Sequence, residues 1–597
     1  MVNSIFQNVQ GLRPRRRAYN MSYRNDFTTY LGTLSPVYLQ DIIPNSSIYI
    51  RTHGLVRFLP LVSPIMDNID LYCHFWQSPR RILEGEQFTD MITGETPDEE
   101  VNLPYWTPSD VFNSIRQLVD LPSGKDYETF YLSLVGDASL FDFLGYDSTL
   151  FGSYDSDNDK WINVSTGKLN CRKFIMYARL LCQWYINENV EPWDGFVEDL
   201  ESWCNPKNQV SGDISESIGE FVSNLYNTFG VTFFCHGWQK DYYTSALPSL
   251  QYGEPVYLPL GTSAPVSLTA LSSNININDP YIITSESTGT KNVNAIYGDS
   301  STNTPILSSQ GVGAVQALSG EFAPKSSGDI LGSGSVDLTE ATAITVNELR
   351  LSNALQVFKE REMKFGRRAP EHYKGYYGVK PRDMRLQIPE YIGGGRMAIN
   401  ISDVEQTSQT TESSPQGNLA GKGTGIAGGF ATAKCFCPEE SFIMGLAFLM
   451  PKVTYANLLS RHDTKLNDRF EYFNPSFTHI GEQEVYNYEV FAGSYGSSLG
   501  IKEFGYQPRY TEYRFHANEV HGDFKSSLSF WTLGRIFTQQ PTLNASFIYM
   551  NPATLNRIFA TVQNSLGQPA RNVLCSLHFK VSLIQPLSRY GTPSLIV

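Results

Sequence analysis

Charge is sparse in this chain: Asp, Glu, Lys and Arg make up 18% of its 597 residues, and their formal sum is −14. A polycation that coats nucleic acid with its whole surface is excluded, so any contact with phosphate must come from local basic segments. Cysteine is scarce as well, with eight in the chain and no close framework of spacings. That pattern fits free thiols in a reducing compartment rather than a disulfide scaffold. No stretch approaches about 18 uninterrupted apolar residues, and the N-terminus lacks the basic-then-apolar layout of a signal peptide. Neither a membrane-spanning nor a Sec-secreted chain is expected. Gly (47) and Pro (32) stand at ordinary levels, which excludes collagen-like and wholly disordered chains.

What the chain does have is aromatic residues, 13% of the total, including 34 Tyr and 35 Phe, a balance suited to strands and extended contact surfaces. Between Asn68 and Gln77 the apolar Ile69, Leu71, Cys73 and Phe75 fall on every second position, as a strand with one buried face requires. The same alternation returns near the C-terminus, where Cys575, Leu577, Phe579, Val581 and Leu583 interleave with Ser576, His578, Lys580 and Ser582. Helices read as insertions between such strands. Thr107, Pro108 and Asp110 supply a cap, a first-turn proline and an N-terminal acid ahead of Val111, Phe112, Ile115 and Leu118. Thr345 with Glu348 forms a capping-box pattern before Leu351, Leu355 and Phe358. A third helix is expected over Asn170 to Asn189, although Trp184 and Tyr185 blur its period.

Composition divides the chain into an N-terminal basic arm (1–45), a first β-rich part with helical insertions (46–251), a Ser/Thr/Asn-rich excursion (252–343) and a second β-rich part (344–597). A further loose stretch, Ser408 to Gly429, is rich in Gly, Ser and Thr and reads as a mobile or partner-ordered loop. First and last strands that flank long excursions suggest one sandwich whose strands lie far apart in sequence.

Most candidate chemistry fails on context. Gly496, Ser498 and Gly500 satisfy G-x-S-x-G, with Asp523 and His578 downstream. Gly505 and Pro508 follow too closely for the serine to open a helix, as that nucleophile requires. Asp155, Asp157 and Asp159 resemble the start of a calcium loop, but Lys160 and Thr166 replace the glycine and glutamate of an EF-hand. They point either to a loose cation site or to a solvated acidic turn. Cys435 and Cys437 lack two further zinc ligands and read as strand residues on one face. The cluster Arg13, Arg15, Arg16 and Arg17 is more informative, since closely spaced guanidiniums on an arm neutralise phosphates and release counterions. The alternative is a solvated arm or a tether between subunits.

Three word-like segments resemble the major capsid protein of microviruses, the small isometric single-stranded DNA phages, and its gokushovirus-like branches in particular. The first is Asp70-Leu71-Tyr72-Cys73-His74-Phe75-Trp76, continuing through Pro79-Arg80-Arg81-Ile82-Leu83. The second is Arg385-Leu386-Gln387-Ile388-Pro389-Glu390-Tyr391-Ile392-Gly393-Gly394, with Gln406-Thr407-Ser408 after it. The third is Gly505-Tyr506-Gln507-Pro508-Arg509-Tyr510, followed by Tyr513-Arg514, Gly522, Phe524 and Phe530-Trp531. The sequence departs from the family at Pro508, where an acidic residue is expected, and in a longer middle.

The resemblance implies a mainly β fold, an eight-stranded antiparallel jelly-roll of viral capsid type with long loop and helical insertions. It implies a homo-oligomer forming a T=1 icosahedral shell around circular single-stranded DNA. The accompanying partners would be small basic DNA-binding and pilot proteins and a host cell surface receptor, with no cofactor and no catalysis. The protein would be made in the bacterial host cytoplasm and end in the virion, with residues 252–343 as a protrusion at the threefold axes. Two rival readings stand beside it. One is a β-sandwich glycan-active enzyme using a carboxylate pair such as Asp194 and Glu198, and the other is an adhesive spike module built on the Ser/Thr-rich middle.

Overall fold

The computed structural model describes residues 15–93, 103–124, 127–155, 160–190, 212–251, 253, 266–270, 281–287, 290–298, 305–308, 332–336, 346–365, 387–405, 419–466 and 468–589. Nine strands form the main sheet among these residues. They are β1 (Arg17–Asn20), β2 (Tyr23–Thr29), β3 (Ser35–Ile42), β4 (Ser46–Phe58), β5 (Ile69–Pro79), β6 (Glu390–Glu405), β7 (Leu419–Cys437), β8 (Ser441–Pro451) and β9 (Val573–Gln585). The hydrogen-bonded path runs β1-β9-β4-β7-β6-β5-β8-β3, with β2 also on β9, and every pairing is antiparallel.

Setting aside the short edge strand β1, the order splits into β2-β9-β4-β7 and β6-β5-β8-β3, joined through β6 and β7. This is jelly-roll order, which bears out the mainly β, antiparallel jelly-roll expected, with β1 as a ninth strand on its edge. The two groups of strands pack face to face. The Phe579 ring of β9 lies 5.2 Å from Tyr38 of β3 and 6.2 Å from Phe75 of β5. Around this contact Ile48, Ile50, Leu71, Cys73, Ile443, Leu449, Leu577 and Val581 close a dry core. The alternation legible in the sequence is therefore the inner face of each sheet, where every second side chain leaves water.

Strand β8 is buried on both faces. Ile443, Ala447 and Leu449 enter the sandwich core, whereas Phe442, Met444, Leu446 and Phe448 enter a second core built by the helical insertion. That insertion carries α1 (Pro108–Leu118), α2 (Tyr127–Val135), α3 (Arg172–Leu180) and α4 (Ser215–Phe229). Thr107 caps α1 as expected, its Oγ1 accepting the Asp110 N–H at 3.4 Å, with Pro108 in the first turn. Trp106 anchors the second core, with its ring 5.0 Å from Tyr146 and 5.5 Å from Phe174. The mixed outer face of β5 docks on this insertion, since Tyr185 Oη accepts from Trp76 Nε1 at 3.0 Å and lies 3.0 Å from His74 Nδ1.

Three local expectations change. The stretch read as part of an arm holds β1, β2 and β3 between Arg17 and Ile42. β1 and β2 sit at a sheet edge with mostly exposed side chains, so their polar residues hide a strand. The loop expected over Ser408 to Gly429 is strand from Leu419 onward. Its glycines let β7 pass close beneath large neighbours, the Phe58 ring filling the space that a side chain at Gly423 would take. The helix expected over Asn170 to Asn189 ends as a π turn at Leu181–Tyr185, with Ile186 N–H bonded to Leu181 O at 3.0 Å. This wider turn explains the blurred period at Trp184 and Tyr185.

Gly253–Glu360 forms a compact unit of its own. Within it Tyr281–Ser287 and Thr290–Gly298 form a hairpin extended by Pro305–Ser308, and Val266–Ala270 pairs with Gly332–Val336. The Ser/Thr/Asn-rich excursion falls here, and a helix, Val346–Phe365, follows where the Thr345 and Glu348 pattern placed one.

Candidate nucleic-acid interface

Strands with one buried face must turn the alternate residues outward, and in the β2-β9-β4-β7 sheet those residues are strongly biased in charge. Along β4 the exposed or half-buried positions are Ser47, Tyr49, Arg51, His53, Leu55 and Arg57. Along β9 they are Leu574, Ser576, His578, Lys580, Ser582 and Ile584, and along β7 they include Ile426, Thr432, Lys434 and Phe436. Register lays these out in rows. Lys580, Arg51 and Thr432 stand side by side, as do Ser582, Tyr49 and Lys434, and Ile584, Ser47 and Phe436. Arg24 and Asp26 of β2 extend two further rows beside His578 and Ser576.

Among the residues whose side chains are described, six cations share this face, Arg16, Arg24, Arg51, Arg57, Lys434 and Lys580, with one acid, Asp26, already held by Arg24 at 2.9 Å. Among the described residues no carboxylate pairs with Arg51, Arg57, Lys434 or Lys580. Arg51 and Lys580 are direct cross-strand neighbours, an arrangement of like charges that weakens a sheet rather than supporting it. His53 and His578 face each other in the next row with rings 6.0 Å apart. In a chain of net charge −14, this clustering is a local reversal that a bound polyanion would relieve.

Apolar groups are interleaved with the cations. Tyr49 is 46% exposed, Phe436 52% and Ile426 77%. Cations beside accessible aromatic rings suit a single-stranded nucleic acid, whose phosphates take the charge while its bases stack. A bulge in β7 between Gly428 and Ala431 makes room for the Arg51 guanidinium, which lies against Gly429 at φ +67°. A side chain there would have to adopt a left-handed backbone and displace the arginine.

The expected arginine cluster meets this face in part. Arg16 lies 5.5 Å above the Phe436 ring and donates to Ser47 Oγ. Arg15 is exposed just before β1, Arg17 opens β1 opposite Gln585, and Arg13 lies outside the described residues. Sequence reasoning missed Arg51, Arg57 and Lys434. The period-2 pattern of Ser46 to Phe58 would have found the first two, because Ile48, Ile50, Val56 and Phe58 mark the buried phase. Lys434 lies within β7, beside Cys435, which the sequence already marks as a strand residue, but nothing in the sequence places it next to Tyr49.

The other candidates stay apart from this face. Asp155 ends a short strand paired with Lys160–Ile162, and Asp157 and Asp159 lie outside the described residues, as do Asp194 and Glu198. Cys435 and Cys437 sit two apart on β7 with Sγ atoms 3.8 Å apart. Gly496, Ser498 and Gly500 lie in turns that lead into a strand at Glu503, without the helix a nucleophile elbow needs. No helix among the described residues is long and apolar enough to cross a membrane.

A jelly-roll carrying two large insertions, with a basic and aromatic outer sheet face, is the architecture of a viral shell subunit. The family profile for capsid protein (F protein) matches residues 7–114 and 163–595, and the chain belongs to that family. It is 28% identical to Capsid protein VP1 of Chlamydia phage 1, over 100% of this chain and 98% of that protein. It is 27% identical to Capsid protein VP1 of Bdellovibrio phage phiMH2K, over 99% and 97%, and 27% identical to that of Spiroplasma virus 4, over 95% and 92%. The microvirus resemblance is borne out. The chain is a structural major capsid protein, a component of the virion that works by self-assembly into a shell rather than by catalysis.

Proposed function

We propose that this protein closes a T=1 icosahedral shell around a circular single-stranded DNA genome and that the outer face of its β2-β9-β4-β7 sheet lines the interior. The observation that supports this reading is the cluster of cations Arg51, Arg57, Lys434 and Lys580, which pair with no carboxylate among the described residues and stand among exposed aromatic rings. Burial of apolar surface between copies supplies the association energy, and closed symmetry ends growth at a finite particle. The N-terminal arginines, Arg13, Arg15, Arg16 and Arg17, extend the same field toward the DNA. Small basic DNA-binding proteins and a pilot protein would share the interior. The unit Gly253–Glu360, as a protrusion at the threefold axes, would meet the host receptor. Synthesis would take place in the bacterial cytoplasm.

The test is genome content. Particles produced with Arg51, Lys434 and Lys580 all changed to Ser should protect markedly less DNA from nuclease per milligram of protein than unaltered particles. Changing Arg13, Arg15, Arg16 and Arg17 to Ser should add to the loss. Equal DNA content in all three preparations would remove the interior assignment of this face.

A further inference from the structure

The segment between β8 and β9 leaves many large apolar side chains open to water. Leu466 is 72% exposed and Ile501 66%, and Phe470, Tyr472, Phe473, Ile480, Tyr495, Leu499 and Tyr513 are each about half exposed or more. Leu466, Tyr472, Phe473, Tyr495, Leu499 and Tyr513 among them are tied together by contacts. Phe473 packs 6.1 Å from Tyr513, and the Tyr472 hydroxyl donates to Lys465 O at 2.7 Å, beside Leu466. Thr464 Oγ1 lies 3.0 Å from the Tyr488 hydroxyl, and Tyr488 packs 5.3 Å from Tyr495. Asn487 Nδ2 donates to Leu499 O at 2.9 Å, which brings in the last corner.

The area is held in shape from below. Lys465, buried, bonds Glu512 at 2.8 Å and lies 4.5 Å from the Tyr513 ring centroid. Arg461 donates to Glu489 at 3.4 Å and lies 5.3 Å from the Tyr486 ring centroid. The desolvated Lys465–Glu512 pair beside the exposed Tyr513 ring fixes that ring before any partner arrives, which lowers the entropy that docking must give up. Nine half-exposed side chains of this size present roughly 900 Å² of apolar surface, about what one partner contributes to a standard stable interface. Isolated soluble proteins seldom leave so large an apolar patch open to water.

We infer that this surface, Leu466 to Tyr513, is a contact between copies of the chain in the assembled shell, and that its occupant is a second copy. The inference rests on the self-assembly that capsid membership establishes, and it is independent of which face meets DNA. A subunit whose working state is a closed shell must carry such surfaces, and the size and prior ordering of this one match an interface core.

The test uses the full chain. Leu466→Ser, Tyr495→Ser and Leu499→Ser combined should leave the thermal midpoint of the free subunit unchanged and lower particle yield at least tenfold by sedimentation and electron microscopy. A control triple at exposed apolar positions elsewhere, Met66→Ser, Ile162→Ser and Leu121→Ser, should assemble normally. A second measurement needs no substitution: hydroxyl-radical oxidation of Tyr472, Phe473 and Tyr495 should fall several-fold on passing from free subunits to shells. Wild-type particle yield from the first variant, or equal oxidation in both states, overturns the inference. Particles that form normally but fail to adsorb to cells overturn it too, and make the patch a receptor surface. DNA content enters none of these readouts, so a failure here leaves the interior face untouched.

Discussion

Removing charge from the β2-β9-β4-β7 face should change how DNA binding responds to salt in a way that can be counted. Each phosphate neutralised on a single strand contributes about −0.7 to the slope of log K against log salt. If the six cations of the face each engage one phosphate, the slope is about −4, and affinity falls roughly 300-fold between 50 and 200 mM salt. Arg51→Ser, Lys434→Ser and Lys580→Ser together remove three contacts, which brings the slope to about −2 and the loss over the same range to about 20-fold. The side chains project from the sheet into water, so the fold should survive. Removing Lys580 from its place opposite Arg51 also relieves a like-charge pair worth about 0.2–1 kcal/mol, so the free subunit should melt no earlier than the unaltered one. The assay is fluorescence titration of labelled oligo-dT with purified subunits across a salt series. An unchanged slope would refute the reasoning, because the face would then contribute no phosphate contacts.

Three further outcomes follow from named contacts. Tyr49→Ala and Phe436→Ala should each weaken oligo-dT binding by about 1–3 kcal/mol while leaving the salt slope unaltered, since stacking carries no counterions. Phe75→Ala opens a cavity where the two sheets meet and should cost about 3–5 kcal/mol of subunit stability, read by denaturant unfolding. Glu489 is buried, and that burial pushes its carboxyl up to about 7 from an ordinary 4.5, with Arg461 offsetting only part of the shift. A carboxyl raised in the folded state contributes stability that is full below pH 4.5 and lost as pH rises through about 7. Glu489→Gln should therefore flatten the fall in melting temperature between about pH 5 and pH 8; an identical pH trend in the variant would contradict this.

Legibility followed burial. β5 and β9 could be read directly because each buries one face against the sandwich core and leaves the other mixed, so the period of two survives in the residue types. α1 was legible for a local reason, its Thr107 cap and Pro108. β8 is apolar on both faces and has no period to read, although its length suits a strand. The first half of β7 escaped because its glycines serve the neighbours that pack over them, a tertiary cause that composition reports as a loop. Edge strands β1 and β2 escaped because their charges face water. The basic face is a case between these. Its β9 half was on view as His578 and Lys580 between buried residues, but only the register of β4 and β7 beside β9 turns scattered cations into a surface.

Everything turns on whether these subunits tile into a closed shell with the Arg51 and Lys580 face turned toward the genome. A cryo-electron microscopy reconstruction of particles made by the full chain tests it most directly. The account predicts isometric shells in which β4 and β9 present that face to the lumen, with density for nucleic acid against Tyr49 and Phe436. Shells with the same face on the outer surface, or a chain that stays monomeric under all assembly conditions, would contradict it.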